Sequence, residues 1–231
     1  FDFGIVKAIG RLAKSEEALH HWQALVPVLR EILTLDPSDD AIRLKLAQLL
    51  LMGGGANEAL QLLDASKNAQ SPNAKLRGLR ALVLYKLDKK DAAVREAQAV
   101  LKIEPGNENA VIVLALDRLA HKDPKGAAAL ISASPVAQPS LGIELTKIRI
   151  DEQLGDLSAV ELLLQDLIAQ YPEIDAFRAQ LIDSYVKQHQ QDKAERELRS
   201  AAFDTQNPNA ELNLVRFLFA VKGAEAARAE L

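Results

Sequence analysis

Six of the nine prolines recur along the chain at a nearly constant interval. They are Pro37, Pro72, Pro105, Pro139, Pro172 and Pro208, with successive gaps of 35, 33, 34, 33 and 36 residues. A period near 34 residues is typical of arrays in which each short unit stacks on its neighbours to bury its apolar face. The sequence therefore predicts a repeat protein.

Each interval between prolines contains two apolar patterns with helical spacing. The first pattern covers residues 41–52, and three glycines at 53–55 then interrupt it. Asn57 is the predicted N-cap of the second pattern, and Glu58 stands where the helix dipole favours an acidic residue. Proline ends the second pattern because it cannot continue a helix. The predicted unit is a helix, a short turn, a second helix and a proline-bearing loop.

The same unit recurs through most of the chain, and an aromatic content of only 4% also favours helix over sheet. Further first helices are predicted at 76–85, 110–120, 141–154, 176–188 and 211–221. Their second helices are predicted at 92–101, 127–132, 157–171 and 193–203. In the degenerate first repeat, 1–40, the second helix at 22–35 contains Pro27 and is expected to kink or to begin there.

A single domain is predicted over residues 1–231. Its main part, 41–221, holds about five and a half repeats of the period described above. Residues 222–231 read as the start of a truncated or capping helix. Because the chain begins with Phe1 and has no starting methionine, we expect it to be a region of a longer or processed protein.

Three positions of the unit can be compared from one repeat to the next. The eighth residues of successive units are Ala47, Ala81, Ala115, Ile148 and Ile182. The twentieth residues are Ala59, Ala93, Ala127, Val160 and Ala194. The eleventh residues are Leu50, Leu84, Arg118, Asp151 and Tyr185. This pattern resembles the tetratricopeptide repeat, a helix–turn–helix unit with small eighth and twentieth residues and a bulky eleventh residue. Ile148, Val160, Arg118 and Asp151 depart from the family pattern, and we expect wider helix spacing there.

The resemblance implies an all-α fold, a right-handed superhelical solenoid of helix–turn–helix repeats with a concave face lined by first helices. In that family the concave face commonly holds an extended or helical peptide. The positions that the resemblance places on this face are Leu44, Gln48, Leu51, Met52, Lys75, Leu82, Tyr85, Lys86, Ile112, Leu116, Leu119, Arg149, Glu152, Asp183 and Lys187. The first half of this set is apolar with two lysines and the second half is charged, so the face is expected to take a segment with one hydrophobic and one polar end. Alternatively, several of these leucines are core residues that pack between neighbouring repeats.

Some members of this family hold the carboxylate at the end of a chaperone with lysine, arginine and asparagine on successive first helices. The matching positions here are Leu44, Gln48, Gly78, Leu82, Ile112 and Leu116. Because none of these residues is basic, recognition of chaperone tails is not predicted.

Motifs for catalysis or metal binding are weak. The four histidines are His20, His21, His121 and His189, and no two of them have the i, i+4 spacing of a helical zinc site. Residues 53–55 are not followed by the Lys-Ser/Thr of a phosphate loop, and the chain has no cysteine. We therefore expect a protein that is not an enzyme and has no cofactor or metal.

The net charge of −4 argues against a general nucleic-acid binder. The longest apolar run, 110–116, is far shorter than the roughly 18–20 residues of a membrane-spanning helix, so no direct membrane insertion is expected.

The predicted function is the binding of a peptide or protein partner in the concave groove. The alternative is a structural scaffold or assembly subunit of a bacterial envelope or secretion complex, with homo-oligomers formed through the solenoid ends. The Ala-, Leu- and Gln-rich composition favours a bacterial source and a periplasmic over a cytoplasmic location.

Overall fold

The computed structural model describes residues 22–65, 73–136, 140–172, 174–205 and 208–230. These residues contain thirteen α-helices, and no strand occurs among them. The helices are α1 (Trp22–Leu35), α2 (Asp40–Met52), α3 (Ala56–Asp64), α4 (Ala74–Lys86), α5 (Lys90–Ile103), α6 (Glu108–Ala120), α7 (Pro124–Ala133), α8 (Leu141–Leu154), α9 (Leu157–Gln170), α10 (Asp175–Lys187), α11 (Gln191–Thr205), α12 (Pro208–Lys222) and α13 (Ala224–Glu230). The prediction of an all-α chain is confirmed for these residues.

The chain divides into two compact units, Phe1–Ile150 and Asp151–Leu231, called unit 1 and unit 2 below. In unit 1, α2 packs on α3, α4 on α5 and α6 on α7, and each second helix of the first two pairs also contacts the next first helix. In unit 2, α10 packs on α11 and α12 on α13, and α11 also contacts α12. Within each unit the helices therefore stack as successive pairs. The prediction of one domain over the whole chain stays a prediction.

The turn between the two helices of a pair has the same backbone geometry in each of the six pairs that the structure describes. One residue in each turn has a left-handed backbone, with φ between 58° and 91°. These residues are Gly54, Asp88, Lys122, Gly155, His189 and Gly223, at intervals of 34, 34, 33, 34 and 34 residues. In five of the pairs the next N–H bonds the carbonyl five residues earlier, as in Gly55 to Leu50 at 2.7 Å and Gln190 to Tyr185 at 2.9 Å. This is the Schellman arrangement that ends a helix.

The small residues predicted at the eighth and twentieth positions lie where the paired helices cross. Ala47, Ala59, Ala81, Ala93, Ala115 and Ala127 are all 0% exposed. Ile148 and Val160, which depart from the family pattern, are also buried. At the eleventh position Asp151 is half-buried, and Arg118 is exposed and pairs with Asp123 at 3.3 Å. In the helix pair α6–α7, a surface ion pair therefore stands in place of the bulky core residue that other helix pairs have at this position.

Side-chain caps begin the first helices of unit 1 at a constant interval. Asp39, Asn73 and Asn107 accept hydrogen bonds from Ile42, Leu76 and Ala110, and the three caps lie 34 residues apart. Asn57 is not a cap, so that prediction is wrong. The N-cap of α3 is Gly55, because the turn before α3 is one of the left-handed turns and places the helix start at Ala56.

The predicted helix at 22–35 is confirmed, and of its two alternatives only the one in which the helix begins near Pro27 is wrong. Helix α1 begins at Trp22 and includes Pro27 within its fourteen residues. The rest of the predicted degenerate repeat, with His20 and His21, lies outside the described residues, as does the C-terminal Leu231.

Candidate functional site

Three of the predicted face residues meet at one cleft in unit 1. Its volume is about 260 Å³. Its lining residues are Leu44, Gln48, Lys75, Glu104, Gly106, Asn107, Glu108 and Asn109. They come from α2, from the first turn of α4, and from the loop before α6 and the start of that helix. Three successive first helices thus contribute to one surface, which offers an apolar side chain, amides, two carboxylates and one ammonium group.

Asparagine caps set the spacing of the helices that carry this cleft. Asn107 is 6% exposed; its Nδ2 donates to the carbonyl oxygen of Ala74 at 3.1 Å and to Glu104 Oε2 at 2.8 Å. Asn73 likewise caps α4 and donates to Asp40 Oδ2 at 3.0 Å. Each cap therefore bonds the start of its own first helix and the start of the preceding one, so that neighbouring first helices begin side by side.

The apolar residues of the predicted face are less accessible to solvent than their positions in the sequence predict. Ile112 is 7% exposed and belongs to a core cluster with Val111 and Ile143. Leu82 and Leu116 are half-buried and pack against this cluster. Ile112 is therefore mainly a core residue. The sequence could not show this, because the residue that covers it lies on the next first helix.

The remaining apolar residues of the predicted face differ in their exposure to solvent. Leu51 is half-buried, Met52 is exposed and Leu119 is buried in a cluster with Ala115 and Ile150. Lys75, Lys86 and Arg149 are exposed. The accessible part of the predicted face in unit 1 is thus a mixture of partly covered leucines and exposed cations.

Tyr85 is half-buried on α4, and charged residues of two later first helices, α6 and α8, lie close enough to affect the pKa of its phenol. Burial raises the pKa of its phenol above the ordinary value; Lys90 and Arg149 act to lower it, and Asp117 acts to raise it. Asp117 also lies beside His121, whose Nδ1 is 2.8 Å from its carbonyl oxygen and 3.7 Å from its Oδ2. The structure thereby brings together the predicted residues Tyr85 and Arg149 and adds Asp117. Asp117 was not among the predicted residues, although it directly follows the predicted Leu116.

The predicted charged residues of unit 2 also come together. Lys187 Nζ lies 2.6 Å from Asp183 Oδ2, and this hydrogen bond raises the pKa of Lys187, with a smaller contribution from Glu152. Glu152 accepts a hydrogen bond of 3.1 Å from Gln180. The three charges therefore largely compensate one another and leave a small acidic excess on this surface.

A second polar cluster in unit 2 was not predicted as such. The Tyr185 hydroxyl donates to Glu161 Oε1 at 2.9 Å, and Lys193 Nζ lies 2.9 Å from both oxygens of that carboxylate and 5.1 Å from the tyrosine ring centre. Burial, followed by the bond to Glu161, raises the pKa of Tyr185 to about 12. The hydrogen bond from Lys193 lowers the pKa of Glu161. Because these side chains come from α9, α10 and α11, the cluster joins three helices.

Groups of three or more side chains able to hold a metal ion are absent from the described residues. Within the same residues, no helix is long and apolar enough to cross a membrane. His121 and His189 are exposed, and His189 supplies the left-handed residue of its turn.

Comparison with known proteins agrees with the repeat architecture. A family model described as tetratricopeptide repeat matches residues 9–83. No curated protein sequence matches the chain. Solved structures match at low sequence identity, so this likeness shows the fold alone.

Three of these structures illustrate the likeness. A thermophilic protein of this class from Thermus thermophilus is 14% identical, with a TM-score of 0.63 over 78% of this chain and 99% of that one. PilW, a type IV pilus biogenesis factor, is 16% identical, with a TM-score of 0.60 over 82% of this chain and 89% of that one. A protein from Parabacteroides merdae is 15% identical, with a TM-score of 0.55 over 97% of this chain and 90% of that one. The family model shows tetratricopeptide repeat over residues 9–83, and the repeated helix pairs and these likenesses show that the described residues have the fold of tetratricopeptide-repeat proteins.

Proposed function

We propose that this chain is a non-catalytic binding module that holds a peptide or protein segment on the first-helix face of unit 1. This face is defined as the accessible residues Leu44, Gln48, Lys75, Leu82, Tyr85, Lys86, Leu116 and Arg149. The observation that carries the proposal is the 260 Å³ cleft, in which Leu44, Gln48 and Lys75 lie together. A cleft between parallel repeats suits an extended chain, because each repeat presents one contact in turn.

The chemistry of the face supports a ligand with mixed character. Gln48 and Asn109 can each donate to and accept from a peptide backbone, since a side-chain amide carries both functions. Leu82 and Leu116 offer partly covered apolar area further along the face. Lys75, Lys86 and Arg149 are exposed cations. The proposed ligand is a segment with a hydrophobic stretch accompanied by acidic residues.

A selection from a displayed peptide library, followed by calorimetric titration of the selected peptides, tests this proposal. Lys75→Glu and Arg149→Glu should each weaken binding about tenfold, the size of a well-placed charge contact. Arg95→Glu is the matched control, because Arg95 is an exposed cation on the second helix α5. If the library yields no ligand, or if the three charge reversals have equal effects, the first-helix face of unit 1 is not the binding surface.

The corresponding surface of unit 2, with Glu152, Asp183 and Lys187, is proposed as a separate and weaker contact area. Its charges already pair within the unit, so a partner gains little by replacing those pairs. Asp183→Ala would free Lys187. We expect this variant to strengthen binding of an acidic segment to an extent measurable in the same titrations.

A scaffold role is the second candidate, and exposed apolar side chains on second helices favour it. Phe203 on α11 is 87% exposed and Leu162 on α9 is 64% exposed. The structurally similar PilW is a pilus biogenesis factor, which is compatible with an assembly subunit of a bacterial envelope complex. Sedimentation equilibrium tests self-association: the scaffold role predicts an oligomer that Phe203→Ser dissociates, whereas a monomer at all concentrations contradicts assembly through this surface.

A further inference from the structure

Unit 2 contains a pocket where α10, α11 and α12 meet, with a volume of about 220 Å³. The buried Leu198 and the half-buried Ile182 supply its larger apolar side chains. Each of the three helices also contributes one alanine to the lining, and these are Ala179, Ala201 and Ala210. Because α10 packs on α11 and α11 on α12, this α10–α12 pocket is formed between helices that already contact one another.

The matching place in unit 1 holds two buried apolar side chains. The left-handed turn residues of the pairs α4–α5 and α10–α11 are 101 residues apart, so residues with this separation occupy matching places. Val100 and Ile112 are buried in unit 1, and the residues that match them in unit 2 are Ala201 and Asn213. The pocket therefore lies where the preceding repeats use their own side chains to fill the junction.

The size of the pocket suits one side chain. Pockets that enclose a small-molecule ligand have volumes of roughly 300–1,000 Å³, which is more than the 220 Å³ of this pocket. Leu198 and Ile182 favour an aliphatic group, because the removal of apolar area from water stabilises its contact with them. The pocket therefore fits a single aliphatic side chain of a polypeptide better than a whole small molecule.

Two asparagines of α12 can bind the backbone of such a polypeptide. Asn209 and Asn213 are exposed, line the pocket and are four residues apart, which places their side chains on one face about 5–6 Å from each other. Alternate residues of an extended chain are about 6.6 Å apart. A side-chain amide donates and accepts and has positions for more than one hydrogen bond. The spacing of the two amides therefore matches an extended segment.

A carboxylate gives the pocket its charge preference. Asp175 in the first turn of α10 is exposed, lines the pocket and forms no ion pair within the part of the chain that the structure describes. Arg178, the cation of the lining, is half-buried and donates to Ser200 Oγ at 3.2 Å. The exposed, unpaired charge at the pocket is therefore negative, and it is complementary to a basic residue.

We propose that the α10–α12 pocket binds an extended segment of a partner protein that inserts one aliphatic side chain and carries a basic residue two positions away. The aliphatic side chain contacts Leu198 and Ile182, Asn213 bonds the backbone, and Asp175 pairs with the basic residue. Side chains two positions apart in an extended chain lie on the same side, so the basic residue also faces the protein. This site lies in unit 2 and does not rest on the first-helix face of unit 1.

NMR titration of the full chain tests the proposal, because it detects binding even when the dissociation constant is millimolar. The probe is a capped seven-residue peptide, Ser-Lys-Ser-Leu-Ser-Lys-Ser, which places a lysine on either side of the leucine at the required distance. It should shift the side-chain amide signals of Asn213. It should bind about tenfold more tightly than a form with alanine in place of leucine, and about threefold more tightly than a form with glutamates in place of the lysines. Raised salt should reduce only the second difference.

Three results would overturn the proposal. The first is an unshifted Asn213 amide at millimolar concentrations of the leucine peptide. The second is equal binding of the leucine and alanine forms, or tighter binding of the glutamate form. The third is free leucine that binds as tightly as the peptide, which would show a small-molecule site instead.

Variants separate the charge and the apolar contributions. Asp175→Asn should remove the preference for lysine over glutamate and keep the preference for leucine over alanine. Asp192→Asn is the matched control, since Asp192 is exposed in the first turn of α11 and does not line the pocket, and it should change neither preference.

A larger residue at position 201 tests the apolar part. Ala201→Val introduces the residue that unit 1 has at the matching place, and it should reduce the preference for leucine over alanine about tenfold. Thermal unfolding of the variant shows whether the fold is kept. An unchanged preference for leucine in a folded Ala201→Val protein would contradict insertion into the pocket. Peptides that bind the first-helix face of unit 1 should be unaffected by Asp175→Asn, so the two sites can fail separately.

Discussion

Asn107 fills the space that Gly78 leaves by having no side chain. A Cβ atom built on Gly78 would lie 2.1 Å from Asn107 Oδ1 and 2.8 Å from its Cγ. The same asparagine caps α6 and donates to the carbonyl oxygen of Ala74 in α4. One contact between a cap and a glycine thus sets how closely two first helices approach beside the candidate cleft.

The substitution Gly78→Ala should destabilise the protein by about 2–3 kcal/mol, because the added methyl group displaces a buried amide that makes three hydrogen bonds. Asn107→Ala removes the cap and should cost about 1–2 kcal/mol. Urea unfolding measures both losses.

The double variant distinguishes a direct contact from two separate effects. In Asn107→Ala the space next to Gly78 is open, so adding Gly78→Ala to it should cost much less than it does alone. Gly53→Ala is the matched control, since φ at Gly53 is −76° and the nearest atom to its built Cβ is 3.5 Å away. Strictly additive losses would contradict the contact.

The helical pairs and their crossing points could be predicted from the sequence, because each depends on a local pattern. Ala47 and Ala59 are both fully buried. Because the alanine side chain is small, it lets two helices cross closely whatever residues surround it. The 34-residue spacing of Asp39, Asn73 and Asn107 was also visible in the sequence. Its meaning was not, because the carbonyl of Ala74 that Asn107 reaches belongs to another repeat.

The candidate site was predictable only in part. Leu44, Gln48 and Lys75 were chosen by register and do lie together. Glu104 and Asn109 were missed, because residues of the loop and helix start enter the cleft only when neighbouring first helices begin side by side. Ile112 was chosen by the same register, but the next first helix covers it with Ile143. Register therefore identifies the face of a helix and cannot show which part of that face a neighbour covers.

The left-handed turns predict an unusual stabilising substitution. Lys122 has φ of 60°, a conformation that costs a residue with a side chain about 1 kcal/mol relative to glycine. Gly54, Gly155 and Gly223 occupy the same place in other pairs. We expect Lys122→Gly to raise the free energy of unfolding by about 0.5–1 kcal/mol, after allowing for the greater freedom of glycine in the unfolded chain.

The matched control is Arg95→Gly, an exposed cation in the middle of α5, which should lose about 1 kcal/mol. Thermal unfolding of the two variants against the unchanged chain gives the comparison. Loss of stability in Lys122→Gly would mean that the lysine side chain contributes more than its backbone conformation costs.

The Tyr185–Glu161 bond predicts a titration at high pH. Burial and then the Glu161 carboxylate raise the pKa of Tyr185 from 10.0 to about 12. The stability that this phenol contributes is therefore complete below pH 10 and is lost as the pH rises through 12. Tyr185→Phe should flatten this loss in alkaline unfolding experiments.

Carbon-13 NMR of labelled tyrosine measures the pKa of Tyr185 and can therefore separate the causes of its increase. Glu161→Gln should lower the pKa of Tyr185 part of the way toward its ordinary value, since the negative neighbour is removed while burial, the largest cause of the increase, remains. Glu197→Gln is the control, because Glu197 makes the smallest of the contributions to the raised pKa of Tyr185. Equal effects of the two variants would show that the hydrogen bond to Glu161 does not contribute to the raised pKa of Tyr185.

The same cluster predicts the opposite behaviour in acid. Hydrogen bonding from Lys193 lowers the pKa of Glu161 below 4.5, so the contribution of this carboxylate is present above pH 4.5 and is lost as the pH falls through the lowered pKa. Lys193→Met should reduce that acid dependence, as measured by urea midpoints at a series of acidic pH values. An unchanged slope would contradict a role for Lys193.

The buried guanidinium of Arg43 predicts the largest stability loss among exchanges of a single cation in unit 1. Arg43 is 5% exposed; its Nη1 donates to the carbonyl oxygen of Leu62 at 3.0 Å, and its Nη2 donates to that of Pro37. These bonds tie α2 to α3 and to the preceding loop. Arg43→Leu should cost about 2–4 kcal/mol, because it leaves two carbonyl groups without their donors.

Arg43→Lys should recover only part of this loss, since one ammonium group cannot reach both carbonyls in the geometry of a planar guanidinium. Arg95→Leu, an exposed exchange of the same type, should change the urea midpoint little, and a similar change in both leucine variants would show that the two carbonyl bonds contribute nothing.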